Sequence, residues 1–208
     1  MRLVIDTATA ACSVALLEGQ TLIACEKEMV GRGHAEKLLP MIAALPEKGH
    51  ADHIIVDCGP GSFTGVRVGL AAALALGLGW DAPVTGYAST DLVAGAVFAN
   101  KLDVSNLTVA FTGGHGELFI QSFTRLDSPA RFKALTDLES MRPEVAATRV
   151  QDEIIIGSGA SALIEARGHG ESVEAWPWAD DVQFLENTFV NLSPTPIYGR
   201  APDAKISL

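Results

Sequence analysis

From Gly65 to Gly79 the chain reads GVRVGLAAALALGLG, almost wholly Gly, Ala, Val and Leu, with Arg67 its only charge. As a helix, such a run has no polar face to turn towards water, so it has to be covered all round. One flank can pack on a sheet of the same chain, and the other then calls for a second layer of the same core or for another protein. The small residues Gly69, Ala72, Ala73 and Gly77 would let a neighbouring helix come close. Both readings, a central core helix and a partner-facing helix, stay open on these features alone.

The stretch leading into this helix, CGPGSFTGVRVG from Cys58 to Gly69, follows the apolar, strand-like run HIIVDC. Glycine-rich loops between a strand and a helix often hold phosphates, but the spacing excludes the two common versions. A Walker A loop ends in Gly-Lys-Ser/Thr, and no lysine occurs here. The dinucleotide pattern GxGxxG places its third glycine where Thr64 stands, and its acidic partner about 20 residues on is missing, because Asp81 precedes its strand. A general anion site at the helix N-terminus, capped by Ser62 or Thr64, is still open.

Three β-patterned runs open the chain: RLVIDTA, CSVALLEG and TLIACEKEM. The last two join at Glu18-Gly19-Gln20, where glycine suits a tight hairpin. HAEKLLPMIAAL sets His34, Leu38, Met41, Ile42 and Leu45 on one helical face, with Pro40 expected to kink or loosen its middle. After HIIVDC and the apolar helix come a strand over APVTGYAS and a helix over TDLVAGAVFA, giving the order βββαβαβα. Further on, LTVAFTG and ELFIQSFTRL read as a hairpin around GGHG. EIIIGSGA reads as a buried strand ending in a glycine turn, with a helix around SALIEA behind it. The proline-rich end, SPTPIYGRAPDAKISL, is expected as an extended strap. No repeat with a period of roughly 20 to 50 residues is visible. A boundary at NKLDVSN divides an N-terminal lobe, residues 1–99, from a smaller C-terminal lobe with its tail, residues 100–208.

Twenty-five acidic against 15 basic side chains give a net charge of −10, with no basic lobe. That excludes the phosphate-neutralising surface of a stand-alone nucleic-acid binder, so any RNA would be gripped by another subunit. No apolar run free of charges and turn signals reaches the roughly 18 to 20 residues of a bilayer span, VGLAAALALGLGW included. Asp6 interrupts the N-terminus before a signal core can form. A soluble, cytoplasmic protein without membrane contact is expected. Cys12, Cys25 and Cys58 lie isolated in apolar runs and are expected to be reduced core thiols.

Other chemistry is sparse. Asp6, Thr7 and Thr9, in IDTATAACS, form a candidate nucleotide-binding set, because phosphotransferases of the actin and sugar-kinase architecture place an aspartate and hydroxyls at such a hairpin. The glycine usual there is Ala8, and Asp6 also suits a turn cap. On that set rests a second functional reading, an ATP-dependent small-molecule kinase or ATPase whose adenosine site would be IIIGSGAS. His34 has Leu38, not a second histidine, four residues on, so no zinc pair forms and no metal site is expected. His50 and His53 flank Asp52 at a spacing that is common by chance, and no Ser-His-Asp arrangement can be singled out. Trp176 and Trp178, in WPW, suit a packing clamp or a partner contact.

Three segments, IDTATAACSVAL, HAEKLLPMI and above all GPGSFTGVRVGLAAALALGL, resemble the TsaB family, also called YeaZ; the ending PIYGRAPDAK is similar too. The resemblance is dense over about the first 90 residues, weak through the middle, and returns at the end. It implies an α/β fold of the actin, sugar-kinase and Hsp70 kind, RNase H-like, two-lobed with a reduced second lobe. It also implies a non-catalytic scaffold in tRNA threonylcarbamoyladenosine synthesis, with no cofactor of its own and ATP with magnesium admitted only in the complex. Proteins of this family pair with the catalytic TsaD subunit and the TsaE ATPase. The complex places threonylcarbamoyl on the adenosine beside the anticodon of tRNAs reading ANN codons, and the family's members form homodimers when alone. The helices used for pairing correspond here to His34–Leu45 and Phe63–Gly79. The implied partner-binding residues are therefore His34, Leu38, Leu39, Ile42, Phe63, Val66, Arg67, Gly69, Leu70 and Ala73. Thr112, Gly113 and Gly114 stand where relatives usually carry Asp-Ala-Arg.

Overall fold

A computed structural model describes residues 1–101, 103–127 and 131–199. Residues 200–208, which hold most of the expected strap and part of PIYGRAPDAK, lie outside the described residues, as does Leu102 in the NKLDVSN boundary. The first sheet contains β1 (Arg2–Asp6), β2 (Ala11–Glu18), β3 (Thr21–Met29), β4 (His53–Asp57) and β5 (Val84–Tyr87), in the order β3-β2-β1-β4-β5. The meander β1-β2-β3 is antiparallel, while β4 and β5 run parallel to β1. Helices α1 (His34–Ala44), α2 (Phe63–Trp80) and α3 (Ser89–Asn100) follow β3, β4 and β5.

The second sheet repeats this plan. It contains β6 (Asn106–Thr112), β7 (Leu118–Arg125), β8 (Phe132–Ala134), β9 (Glu139–Met141), β10 (Ile154–Ile156) and β11 (Glu171–Val173). Its order is β11-β10-β6-β7-β8, with β9 also on β7; β7 pairs antiparallel with β6, and β10 pairs parallel with it. Helices α4 (Pro143–Arg149) and α5 (Ala160–Arg167) occupy the places of α1 and α2 and are shorter. This is the α/β, RNase H-like arrangement with a reduced second half that the resemblance implies. The duplication spans a whole half of the chain, far longer than the periods at which a sequence repeat is sought.

Period-2 alternation explains why each sheet can be covered twice. In β1 and β4, Leu3, Ile5, Ile54 and Val56 face α1 and α2, whereas Val4 and Ile55 face α3. Helix α3 lies between the two sheets, with Leu92, Val93 and Phe98 in one cluster with Val109, Phe111, Phe123 and Ile156. Ala110, Ile120 and Ile155 pack outward on Ala146 and Leu163 of α4 and α5. Burial of a side chain such as Phe98, Phe111 or Phe123 contributes roughly 1.5 to 3 kcal/mol. The helix buried on two sides is thus α3, not the all-apolar α2.

At 18 residues α2 is long and apolar enough to cross a membrane by length and composition, although Arg67 interrupts it, so the expectation that no charge-free run reaches that length stands. One face, Gly65, Val66, Gly69, Leu70, Ala73 and Gly77, is seated on the first sheet. The small residues therefore bring α2 close to its own strands rather than to a foreign helix: a Cβ on Gly69 would lie 2.5 Å from Thr7 Oγ1. Ser62 is the N-cap, its hydroxyl accepting from Gly65 N at 3.3 Å. Gly79 has open space where a Cβ would stand, so Gly79→Ala is expected to raise stability by about 0.5 kcal/mol in urea unfolding. Helix α1 continues through Pro40, which lies on its exposed side.

The chain then returns. Residues Ala179–Phe184 and Asn187–Val190 form short 3-10 turns, which place Ala179, Val182, Leu185 and Val190 against Val4, Tyr87 and α3. Leu192 bridges Gly86, and Ile197 N donates to Cys58 O at 2.7 Å, so the described part of the strap ties down the loop after β4.

Candidate functional surfaces

The parallel strands β1 and β4 end in Asp6 and Asp57, both buried. Tyr87 Oη donates to Asp6 Oδ2 at 2.7 Å, and Ala8 N donates to Asp6 Oδ1 at 3.3 Å. Ser89 Oγ lies 2.8 and 2.7 Å from the two oxygens of Asp57, whose Oδ1 also accepts from Gly59 N at 2.6 Å. Burial, and then the charge of Asp57, push the Asp6 carboxyl well above the usual carboxylate range; burial raises Asp57 too. The charged form of Asp6 is therefore disfavoured, both by its burial and by the neighbouring Asp57. The pair fastens the β1–β2 turn to the loop opening α2, where Ser62 N donates to Ala8 O at 2.6 Å.

This corrects the placement of the candidate nucleotide set. Asp6 is sealed, and Thr7 is buried with its hydroxyl donating to Gly65 O at 2.7 Å; only Thr9 borders open space. A kinase built on Asp6 would need that carboxylate to face its nucleotide. Two further acids are held up by burial: Asp91 at about 7, with help from the charge of Asp57, and Asp181 at about 6. Raised carboxyl values favour the folded state below the unfolded value, near 4, and that advantage is lost as pH rises through the folded values. Urea unfolding is therefore expected to show stability falling by at least about 1 kcal/mol from pH 4 to pH 7, with a flatter profile for Asp91→Asn.

A cleft of about 1080 Å³ lies where β1, β4, β6 and β10 end. Its walls come from the β1–β2 turn, the start of α2, the β6–β7 turn, Ser158 and the returning segment. Thr112 joins two of these walls, its N donating to Ser158 Oγ at 3.1 Å and its hydroxyl to Ser158 O at 3.2 Å. At the mouth, the Arg67 guanidinium lies 3.5 Å from the Phe63 ring centre and donates to Tyr198 Oη at 3.0 Å. Trp176 lines the cleft, whereas Trp178 is packed beneath the Lys27 ammonium, 5.5 Å away.

The second surface is the outer side of α1 and α2. Of the residues implied for partner binding, Leu39, Phe63 and Arg67 are exposed. His34, Leu38, Ile42, Val66, Gly69, Leu70 and Ala73 instead look inward; His34 Nε2 lies 3.3 Å from Ala11 O and the others rest on the sheet. These seven hold the helices in position and do not present themselves. The outward stripe of α2 is Phe63, Arg67, Ala71, Leu74 and Leu78, with Leu39 of α1 also exposed. Leu39, Phe63, Leu74 and Leu78 are 55%, 58%, 48% and 88% exposed. The spacing 4-4-3-4 would have found Leu74 and Leu78, but a run without polar residues gives no mark of which stripe faces out.

Residues 27–135 match the family model described as TsaD: tRNA N6-adenosine threonylcarbamoyltransferase. The tRNA threonylcarbamoyladenosine biosynthesis protein TsaB of Escherichia coli is 30% identical over 169 residues, 77% of this chain and 72% of that protein. An uncharacterized protein of Mycobacterium tuberculosis is 36% identical over 111 residues, 50% of this chain; the match spans 53%, about half, of that relative's length. The solved structure of YeaZ from Pseudomonas aeruginosa superposes with a TM-score of 0.77 at 22% identity, covering 95% of this chain and 98% of that one. Over that span the overall fold is shared. On the family-model match and the Escherichia coli relative together, the chain belongs to the TsaB (YeaZ) family.

Proposed function

We propose that this chain serves tRNA threonylcarbamoyladenosine synthesis as a non-catalytic scaffold, docking onto a TsaD-type transferase through the outer side of α1 and α2. The observation that carries the reading is the stripe of large apolar side chains on α2, continued by Leu39, on a helix otherwise anchored to its own sheet. Helix-on-helix docking of such a stripe removes it from water. The names of the relatives supply the pathway. The sealed positions of Asp6 and Thr7 favour a supporting part over phosphoryl transfer. Within this reading a TsaE-type ATPase brings ATP and magnesium to the complex and acts in the cytoplasm with it. The tRNA, of the ANN-decoding class, is held by the other subunits, in keeping with the chain's net charge of −10. Without its partner the same face closes on a second copy. Mixing the chain with a TsaD-type subunit, followed by gel filtration with light scattering, should give a heterodimer that forms at the expense of the homodimer. Separate elution of the two proteins would sink the proposal.

A further inference from the structure

The cleft between the sheets shares Phe63 and Arg67 with the end of that docking stripe but otherwise lies apart from it, and its chemistry departs from that of the chain around it. It opens at the carboxyl ends of parallel strands in both sheets, the position where open α/β sheets hold ligands. Its volume of about 1080 Å³ accepts a small organic molecule with room to spare. Although the chain carries 25 acidic and 15 basic side chains, no Asp or Glu lines the cleft among the described residues, whereas Arg67 does. The carboxylates of Asp6 and Asp57 lie sealed beneath the floor and cannot present oxygen ligands to a metal ion there. Arg67 is braced by the Phe63 ring, and Tyr198 takes one of its five N–H donors. Phe119 and Trp176 provide flat apolar wall, and Gly113 and Gly114 let a ligand approach the backbone of the β6–β7 turn.

We propose that this cleft binds a small organic anion with a flat aromatic end, its head on Arg67 and its ring among Phe119, Trp176 and the Gly113–Gly114 turn, without a bridging metal. A guanidinium takes a phosphate or a carboxylate head with similar geometry. The test therefore uses two probes, AMP and indole-3-acetate, with neutral adenosine as control. Calorimetry on the full chain should show saturable binding of at least one anion with a Kd below about 1 mM, equal in EDTA and in magnesium. Adenosine should bind at least about tenfold more weakly. The tighter anion identifies the head group. Arg67→Ala should weaken binding by about tenfold or more, since it removes a charged donor. Gly114→Glu should abolish it, placing a carboxylate in the cleft from a position where a Cβ meets nothing within 4 Å, so the fold and its thermal melt are kept. The proposal is overturned if neither anion saturates at about 5 mM, if adenosine binds equally well, if binding requires magnesium, or if Gly114→Glu leaves it intact. It does not rest on the docking role, since Gly114→Glu lies away from the outer side of α1 and α2 and should leave heterodimer formation unchanged.

Discussion

Leu78→Glu is expected to weaken association with a TsaD-type subunit by about 100-fold or more, while the urea midpoint of the isolated chain stays where it was. Leu78 is 88% exposed, so the free chain gains little from it and loses little by its replacement. At a docked interface the same side chain would be desolvated among apolar neighbours, and a glutamate there would be a buried, unpaired charge. Leu74→Glu, one turn back on the same stripe, should behave alike and should weaken the homodimer too. Leu163→Glu makes the contrast: it lies at 0% exposure in the cluster beneath α4 and α5 and should unfold the protein instead of releasing a partner. Surface plasmon resonance alongside urea titration separates the two outcomes. An unaltered affinity in Leu74→Glu and Leu78→Glu alike would remove α2 from the interface.

The other large effect belongs to the loop that opens α2. Gly65→Ala is expected to cost about 3 kcal/mol, because the added Cβ would collide with the Thr7 carbonyl oxygen, a backbone atom that no rotamer change can move aside. Relieving the clash means lifting the start of α2 from β1. That movement also breaks the bond from the Thr7 hydroxyl to Gly65 O and loosens the Ser62 bond to Ala8. Gly61→Ala meets the Ala8 carbonyl in the same way. Gly61 and Gly65 of GPGSFTG are therefore a consequence of close packing between two loops, each fastened below by one of the buried carboxyls, Asp6 and Asp57. Urea unfolding of Gly65→Ala should show a midpoint lowered well below that of Gly79→Ala.

Much of the first half was legible because its signals are local. The glycine at Gly19 marks the hairpin, β-branched residues mark β4, and Ser62 with the apolar run marks α2. In the second half the hairpin of β6 and β7, the buried strand β10 and helix α5 were legible too, whereas β8, β9 and β11 were not, having three residues each, too few for a period to show. Of the site, the two helices were visible, but their inward and outward sides were not. His34 and Leu38 follow the same helical spacing as any docking face, and only the sheet below decides that they are buried. Asp6 looked like a phosphate-facing carboxylate because its partner, Asp57, is 51 residues away in sequence and meets it only once β1 and β4 pair.

The returning segment has a consequence for how the chain is made. Leu192 pairs with Gly86, and Val182, Leu185 and Val190 cover the side of the first sheet that carries Val4 and Tyr87. During synthesis, at about 5 to 20 residues per second, the strands of that sheet leave the ribosome several seconds before the residues that close over them. The nascent N-terminal half thus waits with an open apolar surface, and its folding can finish only after nearly all of the chain has emerged.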